Sequence, residues 1–193
     1  MKGPFFSIVV AALLAAGPSP TRAAQAPAPT VRPSAAALLS AAEAQAGREH
    51  KNVFLIFHAS WCPWCHRLDA LLSAPTLKPF FDKNYVIIRI DGLEAPAQLG
   101  LENAGWKDMM ATYGATGQGI PYWLFLGPKG NILASCRSPF DLDSKGVPGC
   151  MGFPDKGQPK DLAFFVEDIQ ESAPHYEAAF DTNLRAYLKS LTY

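Results

Sequence analysis

The chain has 193 residues with 17 basic and 17 acidic side chains, and its isoelectric point lies near 6.9. That balance gives no reason to expect nucleic acid or an anionic membrane surface as a partner. Four cysteines are too few to staple a mini-protein of this length, so a hydrophobic core has to hold the fold and the cysteines are left for chemistry or for a local staple.

Residues 1–26 have the form of an export signal: Lys2, an apolar run from Phe5 to Ala16, breakers at Gly17, Pro18 and Pro20, then small residues suited to cleavage. The run is short for a membrane anchor, and no later stretch is long and apolar enough to span. The expectation is a periplasmic or secreted protein with no membrane span after signal removal, in a compartment that permits disulfides. Residues 27–33 are rich in Pro and Ala and read as an extended linker. Residues 34–193 form the one folded domain.

Within it, Ser34 is an N-cap candidate for an Ala/Leu helix that Gly47 would end. Val53–Phe57 is a continuous apolar run, as for a central buried strand. A helix from Pro63 to Leu72 follows, with Leu68, Leu71 and Leu72 on one side. A short helix or turn covers Pro75–Phe81, and Tyr85–Ile90 is a second strand. Leu93–Gly105 reads as an inserted loop and Trp106–Tyr113 as a helix stopped by Gly114. Tyr122–Leu126 and Asn131–Cys136, joined at Gly127-Pro128-Lys129-Gly130, read as a β-hairpin. Ser138–Gln158, rich in Gly, Pro and Asp, reads as a long loop. Two helical stripes close the chain, one over Asp161–Ile169 and one over Tyr176–Leu191. This order predicts an α/β fold with a central mixed sheet flanked by helices, plus an N-terminal helix, a long loop insertion after the hairpin and an extra C-terminal helix.

Cys62-Pro63-Trp64-Cys65-His66 stands at the junction of the first strand and the second helix. Such a pair is a redox dithiol, half of a metal site, or, with His66, a c-type haem attachment site. As a dithiol, Cys62 at the helix N-terminus has a thiolate favoured by free N–H groups and the helix dipole. Cys65, one turn in, resolves the mixed disulfide. Pro63, Trp64 and His66 surround the pair and tune it. The haem reading fits an exported location but not the strands on both sides of the motif. A zinc site needs ligands that the spacing of Cys136 and Cys150 does not supply. A non-catalytic binding module with a locked disulfide is a third alternative.

Trp61-Cys62-Pro63-Trp64-Cys65 after an apolar strand resembles the active site of the thioredoxin-like family, and in particular its exported thiol–disulfide oxidoreductases. Tyr113-Gly114-Ala115 and Ile120-Pro121, leading into a strand and a Gly-containing hairpin, extend the resemblance. It implies a thioredoxin fold in which Pro121 is a cis-proline facing the dithiol. It implies disulfide exchange through Cys62 as nucleophile and Cys65 as resolving thiol, with no cofactor and no metal. Trp61, Ile120, Pro121 and Tyr122 would dock the substrate. The implied partners are protein or peptide thiols and disulfides, together with a redox partner protein in the exported compartment. One departure stands out: Ile56 occupies the position where thioredoxins commonly bury an acid, so the proton acceptor for Cys65 is open among His58, His66 and water. Cys136 and Cys150 read as a structural disulfide, worth about 3 kcal/mol for a loop of this size; the alternative is an auxiliary redox pair.

Overall fold

The computed structural model describes residues 32–142, 146, 148–155 and 157–192. The expected export signal and most of the expected linker lie outside the described residues. Ser34 caps helix α1 (Ala35–Glu49), its Oγ accepting the Ala37 N–H. The helix runs two residues past Gly47. A mid-helix glycine costs about 1 kcal/mol, but the turn ends instead at His50, whose left-handed conformation (φ 54°) lets its N–H reach the Ala46 carbonyl. Ala35, Ala42 and Ala46 face the core.

Strand β1 (Asn52–His58) follows, with Val53 to Phe57 buried on both faces. Helices α2 (Pro63–Ser73) and α3 (Lys78–Asn84) lead to β2 (Tyr85–Asp91), parallel to β1. The segment expected as an inserted loop contains a 3-10 helix (Pro96–Leu101) and leads to α4 (Trp106–Thr112). Strand β3 (Tyr122–Leu126) is antiparallel to β1, and β4 (Ile132–Ser135) pairs antiparallel with β3 across a bulge at Phe125/Leu126. The mixed sheet has the order β2-β1-β3-β4. The uninterrupted apolar run thus belongs to an inner strand, as continuous hydrophobicity requires.

The core is largely aromatic. Phe54 of β1 meets Phe125 at a ring separation of 4.4 Å, Tyr85 at 5.9 Å and Trp123 at 6.0 Å. Phe165 of helix α5 (Pro159–Ser172) packs edge-on against Trp123 at 5.3 Å. Helix α6 (Ala179–Ser190) brings Phe180 against Phe80 and Phe81 of α3. It is shorter than its apolar stripe, because Tyr176 lies in the turn after Pro174 and packs on Phe80 from there.

The expected long loop after the hairpin is only partly a loop. Strands β5 (Arg137–Leu142) and β6 (Pro148–Cys150) form a second, two-stranded antiparallel sheet. Its root is held by the Cys136–Cys150 disulfide and by a hydrogen bond from the Met151 N–H to the Cys136 carbonyl. Cys136 also donates its N–H to the Trp123 carbonyl, so the small sheet hangs directly from β3. Among the described residues no helix is long and apolar enough to cross a membrane.

Candidate active site

Cys62 is the N-cap of α2 and Pro63 its first residue, where a missing N–H costs nothing. The cap is the sulfur itself: Cys62 Sγ accepts the Cys65 N–H at 3.1 Å. Cys62 and Cys65 are bonded to each other, with Cα atoms 5.3 Å apart, and both are buried. Opposite them the Ile120–Pro121 peptide is cis, and Cys62 Sγ lies 3.5 Å from the Ile120 carbonyl oxygen. The dithiol and Ile120-Pro121, far apart in sequence, therefore meet.

The loop before the dithiol is gripped by the segment after β2. Glu94, only 8% exposed, accepts the Ser60 N–H through Oε1 and the Ser60 hydroxyl through Oε2, each at 2.6 Å. The Trp61 indole donates to the Leu93 carbonyl at 2.8 Å. Leu93 is in the left-handed region (φ 58°), where a side chain costs about 1–2 kcal/mol. That strain is carried at the residue whose carbonyl holds Trp61. Glu94 escaped the sequence reading because one acid in a mixed loop looks like a solvated one.

Trp61 and Trp64 are exposed beside the dithiol, 54% and 42%. Trp64 lies 6.0 Å from the ring of Phe153 and under the guanidinium of Arg67. A cavity of about 330 Å³ opens next to the dithiol, lined by Trp64, Ile120, Pro121, Cys150, Met151 and Phe153 among others. Cys150 Sγ is 3.4 Å from the Pro121 carbonyl oxygen, so the second disulfide forms part of this wall. Met151 and Phe153 were not singled out in the sequence, since they fall in the stretch that reads as loop. Tyr122, expected at the docking surface, is a correction: it is fully buried, and its hydroxyl donates to the Tyr113 carbonyl at 2.9 Å. As the first residue of β3 it points into the core against Phe57.

The two histidines lie behind the dithiol loop. His58 Nδ1 is 2.9 Å from Asp91 Oδ1, and Nε2 is 3.4 Å from Asp69 Oδ2. Asp69 foremost, then Asp91, pushes the His58 pKa up to about 9 against the opposing effect of burial. At neutral pH His58 already holds its proton, so it cannot take one from Cys65. His66 Nε2 donates to the Ser60 carbonyl at 2.8 Å. Ile56 is buried among apolar side chains, and no acid takes its place on β1.

Residues 35–128 match the model of a thioredoxin-like family, a stretch that runs from α1 through β3 and includes the dithiol and Ile120-Pro121. No curated protein matches the sequence. Among solved structures, the chain is similar to a disulphide isomerase from Xylella fastidiosa Temecula1 (24% identity, covering 50% of this chain and 69% of that one, TM-score 0.41). It is similar to a DsbH oxidoreductase (20% identity, covering 91% and 96%, TM-score 0.40). It is also similar to the C-terminal domain of Neisseria meningitidis DsbD in its oxidised form (17% identity, covering 70% and 97%, TM-score 0.42). The fold is thioredoxin-like, with a mixed sheet between helices.

Proposed function

We propose that this chain is a thiol–disulfide oxidoreductase that exchanges disulfides with exported protein substrates through Cys62 and Cys65. The observation that carries this reading is the sulfur of Cys62, held at the N-terminus of α2 by the Cys65 N–H and facing the Ile120 carbonyl. A helix N-terminus with a donor aimed at sulfur favours thiolate over thiol. A substrate segment lying along Ile120 presents its disulfide to that sulfur.

The reaction runs in two displacements. The Cys62 thiolate attacks one substrate sulfur; a Cys62–substrate disulfide forms, the substrate S–S bond breaks, and the second substrate sulfur leaves as thiolate. Cys65, losing its proton, then attacks Cys62 Sγ and releases the first substrate sulfur. Two electrons pass to the substrate, and the chain is left with the Cys62–Cys65 disulfide, which a redox partner protein of the exported compartment reduces. The same steps reversed oxidise a substrate dithiol. With Ile56 in place of an acid and His58 already protonated, His66 and water are the acceptors left for the Cys65 proton. His66 and the Pro63-Trp64 pair tune the dithiol, Trp61, Trp64 and Ile120 dock the substrate, and Cys136–Cys150 is structural.

Insulin reduction coupled to a dithiol donor tests the reading. Cys62→Ser abolishes turnover, and Cys65→Ser accumulates mixed disulfides that reductant releases. Full turnover by Cys62→Ser would defeat it. Failure of Cys62 to react with a thiol label after mild reduction would instead make the chain a binding module with a locked disulfide.

A further inference from the structure

His58, His66 and Asp69 converge behind the dithiol loop, one ligating atom of each lying within 4.8 Å of the others. His66 and Asp69 stand three apart on α2 and so share a helix face, while His58 ends β1. Each histidine has one nitrogen already occupied by an acceptor: His58 Nδ1 by Asp91, and His66 Nε2 by the Ser60 carbonyl. A carbonyl can only accept, so His66 Nε2 carries the hydrogen and Nδ1 is left with a lone pair. This is the arrangement that metal-bound histidines have, the second nitrogen donating to a carboxylate or a backbone carbonyl. The carboxylates are fixed in turn, Asp69 Oδ1 by Arg89 and Asp91 Oδ2 by Arg32, each at 2.5 Å.

What remains facing inward is unusual. His58 Nε2 is buried and makes no hydrogen bond. Its nearest anionic atom, Asp69 Oδ2, is at 3.4 Å, an ion-pair distance without hydrogen-bond geometry. Two ligand atoms each about 2.0–2.1 Å from a tetrahedral zinc ion lie about 3.3–3.4 Å apart. The His58–Asp69 pair is therefore already spaced as one edge of such a site. His66 is exposed, so solvent can reach the fourth position.

We propose that His58, His66 and Asp69 form a binding site for one divalent zinc-like ion, distinct from the cysteines. The donor set of two imidazoles and a carboxylate suits Zn²⁺ rather than the hard, all-oxygen cations. The ion takes the position between His58 Nε2 and Asp69 Oδ2. It links the end of β1 to the first turns of α2, and thereby brackets the dithiol loop from behind.

The test is Zn²⁺ uptake by the full chain, read by competition with a chromophoric chelator, with Co²⁺ as a spectroscopic stand-in. The disulfides are kept oxidised, and the Cys62→Ser/Cys65→Ser variant is run in parallel to remove the dithiol as a ligand. The expected result is one equivalent of Zn²⁺ per chain, unchanged in the cysteine variant and weakened about tenfold or more by His66→Ala and by Asp69→Asn. Bound Co²⁺ should show the visible d–d absorption of a four-coordinate ion without thiolate charge transfer. His66 is exposed, so His66→Ala retains the fold, and unchanged circular dichroism checks that. No saturable uptake, uptake indifferent to both His66→Ala and Asp69→Asn, or uptake lost with the cysteines would each overturn the proposal.

Discussion

The two disulfides touch consecutive residues of one dipeptide, Cys62 at the Ile120 carbonyl and Cys150 at the Pro121 carbonyl, yet they are built for different work. Cys62–Cys65 closes a ring of sequence separation 3, so its bond restrains the unfolded chain less than the longer loop does. It stands at a helix N-terminus, with a backbone donor on one sulfur. Cys136–Cys150 closes a separation of 14, ties β3 to the small sheet, and fixes Met151 and Phe153 as a wall of the cavity. A bond that is cheap to break belongs where it must cycle, and a bond that organises a separate strand pair belongs where it stays.

The largest effect expected is on the first pair. Cys62→Ser should lower disulfide exchange by about a thousandfold or more in the insulin assay, as loss of a covalent nucleophile does, with a melting temperature close to that of the parent. Breaking the second pair should do the opposite. Cys136→Ser/Cys150→Ser should lose about 3 kcal/mol in denaturant unfolding while keeping exchange through Cys62 below its melting point. A double variant that stays folded but stops turning over would make the second pair a relay rather than a staple.

The stapled half also carries a pH dependence of its own. Asp168 on α5 is 5% exposed and its Oδ2 has no hydrogen-bond partner. Burial, and then Glu171 and Glu167, raises its pKa to about 8. The folded state therefore keeps a proton that the unfolded state has lost, and stability falls as pH rises from about 4 to about 8, then levels. Asp168→Asn should remove that slope, leaving a variant more stable than the parent above pH 8 by several kcal/mol and no more stable near pH 4. Unfolding curves across that range check it.

Two smaller effects sharpen the contrast on the dithiol side. Glu94→Ala strips the Ser60 N–H of its acceptor and leaves the hydroxyl only the longer contact to Gln98 Oε1 at 3.3 Å. It should cost about 1–2 kcal/mol and slow exchange several-fold, read as thiol-labelling kinetics of Cys62. Trp64→Ala removes an exposed ring from the cavity mouth. It should raise KM for a protein substrate a few-fold at nearly constant kcat, with little change in melting temperature.

The frame and the chemistry were legible because both are local in sequence. Val53–Phe57 is apolar on both faces because it lies between β2 and β3, and Pro63 after Cys62 suits the first turn of a helix. What escaped was what distant segments do to one another. The β5–β6 pair hides in a stretch whose Gly, Pro and Asp content points to loop, since its pairing is imposed by a covalent bond and by β3 rather than by strand propensity. Tyr122 looked like a docking residue because it follows Pro121, but the first position of β3 faces inward. His58 looked like a stand-in for a missing acid; the carboxylates that hold its proton come from α2 and from the end of β2. Glu94 had no pattern at all, only a position beside Ser60 once the chain had folded.

The grip of Glu94 and Leu93 on Ser60 and Trp61 has a kinetic side. The Ser60 amide is bonded to the side chain of the inserted segment rather than to a neighbouring strand, so it exchanges with solvent only when that segment lets go. The segment is itself backed by Trp106, whose ring lies so close to Gly92 that an added Cβ would come within 2.5 Å of it. Opening of the backbone beside the nucleophile is therefore coupled by packing to α4, a helix that contributes no atom to the dithiol.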